Sequence, residues 1–457
     1  MTTPVRTAPS TNPNSFFRPN RAIQRHIGVR YARLQDGQRF DPPSLVPLSE
    51  GLAASAQFDS TEDVPVFPQL TSRLDTFMGS PAGKQIHDQD AFFLNTFAPE
   101  GLTDLPVLVF VHGGAWVSGA GTFSWYEGDE IACEGVCVVS VNYRIHATAH
   151  LSDSAEHRPL QDLETALEWV QRNIQHFGGN PENVTLVGQS AGGWYVHALS
   201  QLERLRGKFR RIALLSMGTR TPWSRQQLEA TRQQISLANN GAELGEIPTD
   251  KLLADSISCS RAVLQPELAS APVGYTPAPL LPTASIDLPT DFLDPLSSTK
   301  NLIVDDVFLR YTLDETGIFL CGSAAAIKAT AEQVENSYRA FIPDPSTVPE
   351  HLHRRMVDTK SNPYLRLRAI TSWAQFQELP TLLASAYSSA GKNVQLHEFN
   401  VPSSNTTLGS CHCLDLPYQF GNFHAWKDAP MLTGVNPEDF AAISKPLIKQ
   451  MTDYVRG

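Results

Sequence analysis

Apolar residues in this chain gather into short unbroken runs, separated by longer stretches with a three-to-four-residue rhythm. Val107-Leu108-Val109-Phe110-Val111, Val136-Cys137-Val138-Val139-Ser140-Val141, Val184 to Val187 and Ile212 to Leu215 are such runs. Each predicts a strand buried on both faces. Between the second and third, Leu160, Leu163, Leu167, Val170, Ile174 and Phe177 recur at helical spacing, and Gly178-Gly179-Asn180-Pro181 stops the helix. Strand and helix in alternation predict an α/β fold: a mostly parallel central sheet with helices on both faces. Before the first run, Ile27 to Arg33 is strand-like and Ala91 to Ala98 alternates as an edge strand would. Residues 44–84, rich in Pro, Ser and Gly, are expected to wrap the surface. From Trp223 to about Lys300 the rhythm breaks: helical pieces such as Arg225 to Leu237 alternate with Pro-rich stretches such as Tyr275 to Pro289. This predicts a lid-like helical insertion at about 223–300. Order returns at Val307 to Tyr311, with helices near 324–341 and 364–388, a last strand at Val394 to Phe399 and a closing helix near Phe440 to Val455.

Composition narrows this picture. The chain has 457 residues, 41% hydrophobic and 18% charged, enough for a large core. One catalytic domain over 21–457 is expected, after a flexible tail at 1–20. A net charge of −11 argues against nucleic acid as a partner. No run of about 18 apolar residues exists, so no membrane span is expected. Met1 to Arg25 has no apolar core of a secretory signal, and six scattered cysteines form no disulfide pattern. A cytoplasmic protein with reduced thiols is expected. Nothing in the chain sets an oligomeric state.

The chemistry centres on Gly188-Gln189-Ser190-Ala191-Gly192, directly after the third buried run. Gly-x-Ser-x-Gly between strand and helix is a nucleophile elbow, which lifts a serine hydroxyl above the sheet edge. A serine alcohol needs a base to take its proton and a third group to orient that base. Downstream, past later strands, lie Asp314-Glu315 and His412, in the order acid then histidine. His412 is expected to take the Ser190 proton and Glu315 to hold the imidazole. Acyl transfer also needs donors aimed at the developing oxyanion. His112-Gly113-Gly114-Ala115 ends the first buried run with residues small enough for close backbone approach, and the Ala191 N–H opens a helix. Cys411-His412-Cys413 invites a metal site, but neighbours on an extended strand point to opposite faces, so no metal is expected. No cofactor is required.

Together these residues resemble the type-B carboxylesterase family, over nearly the whole chain. Gly28-Val29-Arg30-Tyr31-Ala32 and Arg39-Phe40-Asp41-Pro42-Pro43 look like the family's opening, and Asn142-Tyr143-Arg144 and Asn173 to Pro181 like the segments before its elbow. Asp314-Glu315 resembles its glutamate motif, and His412 with Asp415-Leu416-Pro417-Tyr418 and Phe420-Gly421-Asn422 its histidine motif. The resemblance implies an α/β-hydrolase fold, a Ser190–His412–Glu315 triad and oxyanion donors at Gly114, Ala115 and Ala191. It also implies that Ser216 braces the acid, and it matches Trp223 to an acyl-pocket tryptophan, though a core tryptophan fits as well. Ala115 stands where many members carry glycine, and Gln189 where the family often has glutamate. The family's early disulfide cysteines are absent.

The expected function is hydrolysis of a carboxylic ester through an acyl-enzyme. The same triad could act on an amide, carbamate or lactone. A non-catalytic binding protein on this scaffold would lack the nucleophile, which is present here. With Gln189 beside the serine, the partner is expected to be a small neutral ester. Substrate choice is expected to lie with residues 223–300 and with the Ser118 to Tyr126 loop, whose Phe123, Trp125 and Tyr126 suggest an aromatic mouth.

Overall fold

A computed structural model describes residues 21–80, 85–154, 156–278 and 280–457. The tail expected at 1–20 lies outside the described residues. Eight strands form one sheet: β1 (Ile23–Arg30), β2 (Phe93–Pro99), β3 (Leu105–Val111), β4 (Cys137–Val141), β5 (Gly179–Gln189), β6 (Arg211–Leu215), β7 (Asp306–Thr312) and β8 (Asn393–Phe399). Their order is β1-β2-β4-β3-β5-β6-β7-β8. β2 runs antiparallel to both β1 and β4, and every later pairing is parallel. The fold is that of the α/β-hydrolases.

Side-chain alternation sets one core cluster on each face of the sheet. Val107, Val109 and Val111 of β3 join one buried cluster with Leu160, Leu163 and Val170 of α1 (Arg158–Asn173) and with Trp194 of α2 (Ala191–Leu199). Leu108 and Phe110, on the opposite face, join another with Phe440, Ile448 and Met451 of the closing helix Pro437–Arg456. Because both faces are covered, the strands read as continuous apolar runs.

Two expectations need correction. The strand expected at the edge, β2, is the second strand in and is buried along its whole length. Its Asn95 and Thr96 made it look half-solvated, but Asn95 Oδ1 accepts from Gly28 N (2.8 Å), so its polarity is satisfied inside the sheet. Of the stretch 44–84, residues 44–80 do not merely wrap the surface. Val64, Val66, Phe67, Gln69, Leu74 and Met78 are buried, spaced through the Pro-rich stretch as anchors.

Residues 223–300 carry α3 (Arg225–Ala238), α4 (Thr249–Val263) and shorter helices. Ser224 and Gln227 cap α3 reciprocally. The Arg39 guanidinium donates to the carbonyls of Leu244 and Ile247 (3.0 and 2.9 Å), tying this segment to the start of the chain. No helix among the described residues is long and apolar enough to cross a membrane.

Candidate active site

The parallel strands deliver their carboxyl ends to one edge of the sheet, where such folds hold their sites. β3 leads into His112–Gly119, β5 into Ser190, β6 into Ser216, β7 into Glu315, and the loop after β8 into His412.

At the elbow Ser190 takes φ 54°, ψ −119°, a conformation a side-chain-bearing residue seldom adopts. The turn closes because Gly192 has no side chain: a Cβ there would sit 2.1 Å from the Val111 carbonyl oxygen. The surrounding fold holds the strain. Ser190 N donates to Leu215 O (2.9 Å), and Gly218 N donates to Ser190 O (2.9 Å).

His412 Nε2 lies 2.8 Å from Ser190 Oγ, and its Nδ1 lies 2.5 Å from Glu315 Oε2. The other Glu315 oxygen accepts from Thr312 N (2.8 Å). Glu315 and His412 are buried, whereas Ser190 is partly open. Burial alone lowers the pKa of the His412 imidazole, but Cys413 and the Glu315 carboxylate raise it well above its ordinary value. Phe319 and Phe376 stack with parallel planes and pack on the imidazole, their centroids 5.4 and 4.9 Å from it.

Asp314, beside the glutamate, takes a different part. It is ion-paired with Arg355 and lies 2.7 Å from Arg368 Nε, and its Oδ2 accepts from Ser410 N (3.0 Å). It therefore fastens the histidine loop to the acid loop. Asp415 does similar work below His412 through a buried ion pair with Arg310 of β7 (2.7 Å).

The oxyanion candidates lie around the serine. Gly113 fits between the Gln189 side chain and Ser190, while Ala115 and the following Trp116 hold φ of 52° and 64°. Gly114 turns at φ 120° against Ser118, closer than any Cβ would allow. Ala191 opens α2, so its N–H has no acceptor within the helix. Gln189 Nε2 is 3.3 Å from both His412 Nε2 and Cys413 Sγ.

Two bracing residues gave no signal in the sequence. Gln69 accepts from Gly119 N (2.7 Å) and donates to Gly119 O (3.2 Å), clamping the far end of the glycine loop. His150 Nε2 donates to Trp116 O (3.0 Å); burial pushes its pKa down to about 4, which keeps the ring neutral for that bond. Only their contacts identify either residue. Two residues singled out by resemblance fall elsewhere. The Ser216 hydroxyl is buried with no hydrogen-bond partner among the described residues, so it does not brace Glu315; Thr312 N does. Trp223 is buried in the larger core cluster, and its backbone pairs with the 282–284 segment.

The cavity over Ser190 is lined by residues of 69–85, 113–126 and 189–190, with Phe319, His412 and Cys413. Phe123, Trp125 and Tyr126 are among them. Of residues 223–300, none of those described lines this cavity, contrary to expectation.

Comparison with known proteins gives these findings. The model of the carboxylesterase family matches residues 14–456. A Rhodococcus erythropolis protein named a probable N-octanoylanthranilate hydrolase is 30% identical over 427 residues, covering 90% of this chain and 84% of that one. The phenmedipham hydrolase of Pseudarthrobacter oxydans is 26% identical over 396 residues, covering 83% of this chain and 76% of that one. A solved Geobacillus stearothermophilus carboxylesterase superposes with a TM-score of 0.71 at 24% identity, covering 95% of this chain and 87% of that one.

Proposed function

The chain belongs to the carboxylesterase family and is a carboxylic ester hydrolase, and from that premise we propose that it works through an acyl-enzyme on Ser190. Ser190 Oγ attacks the ester carbonyl while His412 Nε2 takes its proton. Glu315 holds the imidazole in the tautomer that leaves Nε2 free, and stabilises the imidazolium. The N–H groups of Gly114, Ala115 and Ala191 stabilise the oxyanion. His412 then returns the proton to the leaving alkoxide, the C–O bond breaks and the acyl group stays on Ser190. A water molecule, deprotonated by the same nitrogen, releases the acid and restores the serine. The unbroken line Ser190 Oγ–His412 Nε2 (2.8 Å) and His412 Nδ1–Glu315 Oε2 (2.5 Å) carries this proposal.

We take residues 21–457 as one catalytic domain with 223–300 as a lid-like insertion, supported by the Arg39 bonds to Leu244 and Ile247. The substrate is a small neutral ester, since Gln189 puts an uncharged amide beside His412 and Ser190. The free thiols of Cys137, Cys259, Cys321, Cys411 and Cys413 fit a reducing, cytoplasmic setting. A second substrate class follows from the relatives. One is named for an N-acyl compound, N-octanoylanthranilate, so the same steps are proposed for amides.

The deciding experiment treats the protein and its Ser190→Ala variant with a fluorophosphonate probe and with p-nitrophenyl acetate. Labelling and turnover are expected in the parent and absent in the variant. A variant that is still labelled removes Ser190 from the role.

A further inference from the structure

One helix carries an irregularity that the proposed steps do not use. Pro363–Ser372 continues into Glu378–Ser389 through a single π-turn, Trp373–Gln377, closed by a bond from Glu378 N to Trp373 O. A π-turn takes up one residue more than an α-turn, is rare, and recurs at functional sites. Three consecutive buried side chains of this turn reach three different places.

Gln377 reaches the acid loop. Its Nε2 donates to Thr312 O (2.8 Å) and Leu313 O (3.2 Å), and Thr312 N donates to Glu315 Oε1 (2.8 Å). On the other side of Glu315, Thr316 N donates to Ser372 Oγ (3.1 Å). In a regular α-helix Ser372 and Gln377, five residues apart, would diverge by about 140°. The extra residue sets Gln377 where a fourth residue would stand, about 40° from Ser372, so both face the loop. Gln377 is fully buried, and its Oε1 has no hydrogen-bond partner among the described residues. A buried amide with an unpaired oxygen is destabilising by itself, so its value lies in the two N–H bonds.

Phe376 packs on the His412 imidazole, 4.9 Å between centroids. Gln375 faces the 223–300 segment: its Nε2 donates to Gly274 O (2.9 Å), and its Oε1 accepts from Thr276 N (3.0 Å) and from Arg220 (2.7 Å). Arg220 belongs to the loop whose Gly218 N donates to Ser190 O. None of the described residues of 223–300 lines the cavity, yet this turn joins the segment to the acid and the base that work there.

We propose that Gln377 is a positioning residue for the catalytic acid, and that the π-turn carrying it is the support through which the 223–300 segment holds the triad in place. Gln377 acts through Thr312 and Leu313 on Glu315, and through Glu315 on the imidazole. The ionisable groups bearing on that imidazole are Glu315 and Cys413. Phe319 and Phe376, packed on its ring, carry no charge; Arg73 stands beyond Phe319, 5.5 Å over that ring, and Asp75 lines the cavity. This inference rests on the serine-hydrolase reading and adds what holds its acid.

Three variants test it, each measured for Tm, kcat, KM and the pH–rate profile with p-nitrophenyl acetate. Gln377→Met keeps the volume and removes both N–H bonds. It should lower kcat roughly tenfold with KM within about twofold of the parent, because a misplaced acid impairs reaction and not binding. The acid limb should move to lower pH, toward the ordinary imidazole value near 6.5, because a displaced carboxylate supports the imidazolium less. Ser372→Ala removes the opposite grip with little change in volume and should act in the same direction, with a smaller loss of kcat. If Gln377→Met does not fold, Ser372→Ala decides by the same readouts. Gln375→Met makes its change away from the triad, and it too should lower kcat and move the limb down. If the Gln377 and Ser372 variants lose only Tm, with kcat and the limb unmoved, the proposal is overturned. A normal kcat and limb in Gln375→Met overturns the part given to the 223–300 segment. A parent that takes no fluorophosphonate label overturns the serine-hydrolase reading, and this inference with it.

Discussion

The floor of the cavity and its rim are built on different principles. The floor is a set of strand ends: Ser190 after β5, Glu315 after β7, His412 after the loop from β8. Its backbone is strained at Ala115, Trp116 and Ser190, with Ser190 held by hydrogen bonds to Leu215 and from Gly218, and Trp116 by bonds from His146 and His150. The rim comes from connections: residues of the 69–78 stretch with Gln85, and the aromatic 118–126 loop. Rigid geometry suits a reaction whose bonds must meet within tenths of an ångström, whereas selection among substrates tolerates variation in charge and shape. Gln69 belongs to both, since it lines the cavity yet clamps the glycine loop.

The largest effect should come from the floor. Glu315→Gln should lower kcat by roughly 10⁴, because the amide favours the wrong imidazole tautomer. It should also move the acid limb of the pH–rate profile. His412 must be neutral to act, so activity falls as pH drops through its pKa. In the parent that limb lies above 6.5, since Cys413 and Glu315 raise the imidazole. In the variant it should shift to lower pH, and an unmoved limb would mean that the carboxylate does not govern the base. Next in size, Gly192→Ala drives a methyl group into the Val111 carbonyl oxygen. It should cost about 1–3 kcal/mol of stability, visible as a lower Tm, with catalytic loss beyond that.

Gln69→Ala probes the join between floor and rim. Losing both bonds to Gly119 should cost about 1 kcal/mol and lower kcat several-fold with little change in KM. A variant with altered KM alone would make Gln69 a rim residue only. Smallest of all, Ser216→Ala should leave Tm and kcat/KM within about 0.5 kcal/mol of the parent, because the hydroxyl has no partner to lose. A large loss there would restore the bracing role that the resemblance implied.

The floor was largely legible in the amino-acid pattern, because tight backbone geometry demands small residues and leaves them as a motif. Gly188 to Gly192 and His112 to Ala115 are such imprints. Buried strands were legible for the same physical reason, their uninterrupted apolarity. β2 misled because a buried asparagine satisfied by a glycine N–H looks, in one dimension, like a solvent-facing position. The rim was hardly legible. Gln69 and His150 have no periodicity and no special backbone, and their parts depend on partners 50 and 34 residues away respectively.

Separation along the chain has a consequence in time. Ser190 and His412 are 222 residues apart. At a ribosomal rate of roughly 5–20 residues per second, the serine is made some 10–45 s before the histidine that activates it. During that interval the nascent chain holds an elbow without a base. The elbow's own scaffold, β3, β5 and β6, is made well before His412, so the hydrolase is assembled as an inert frame and armed only when that histidine arrives.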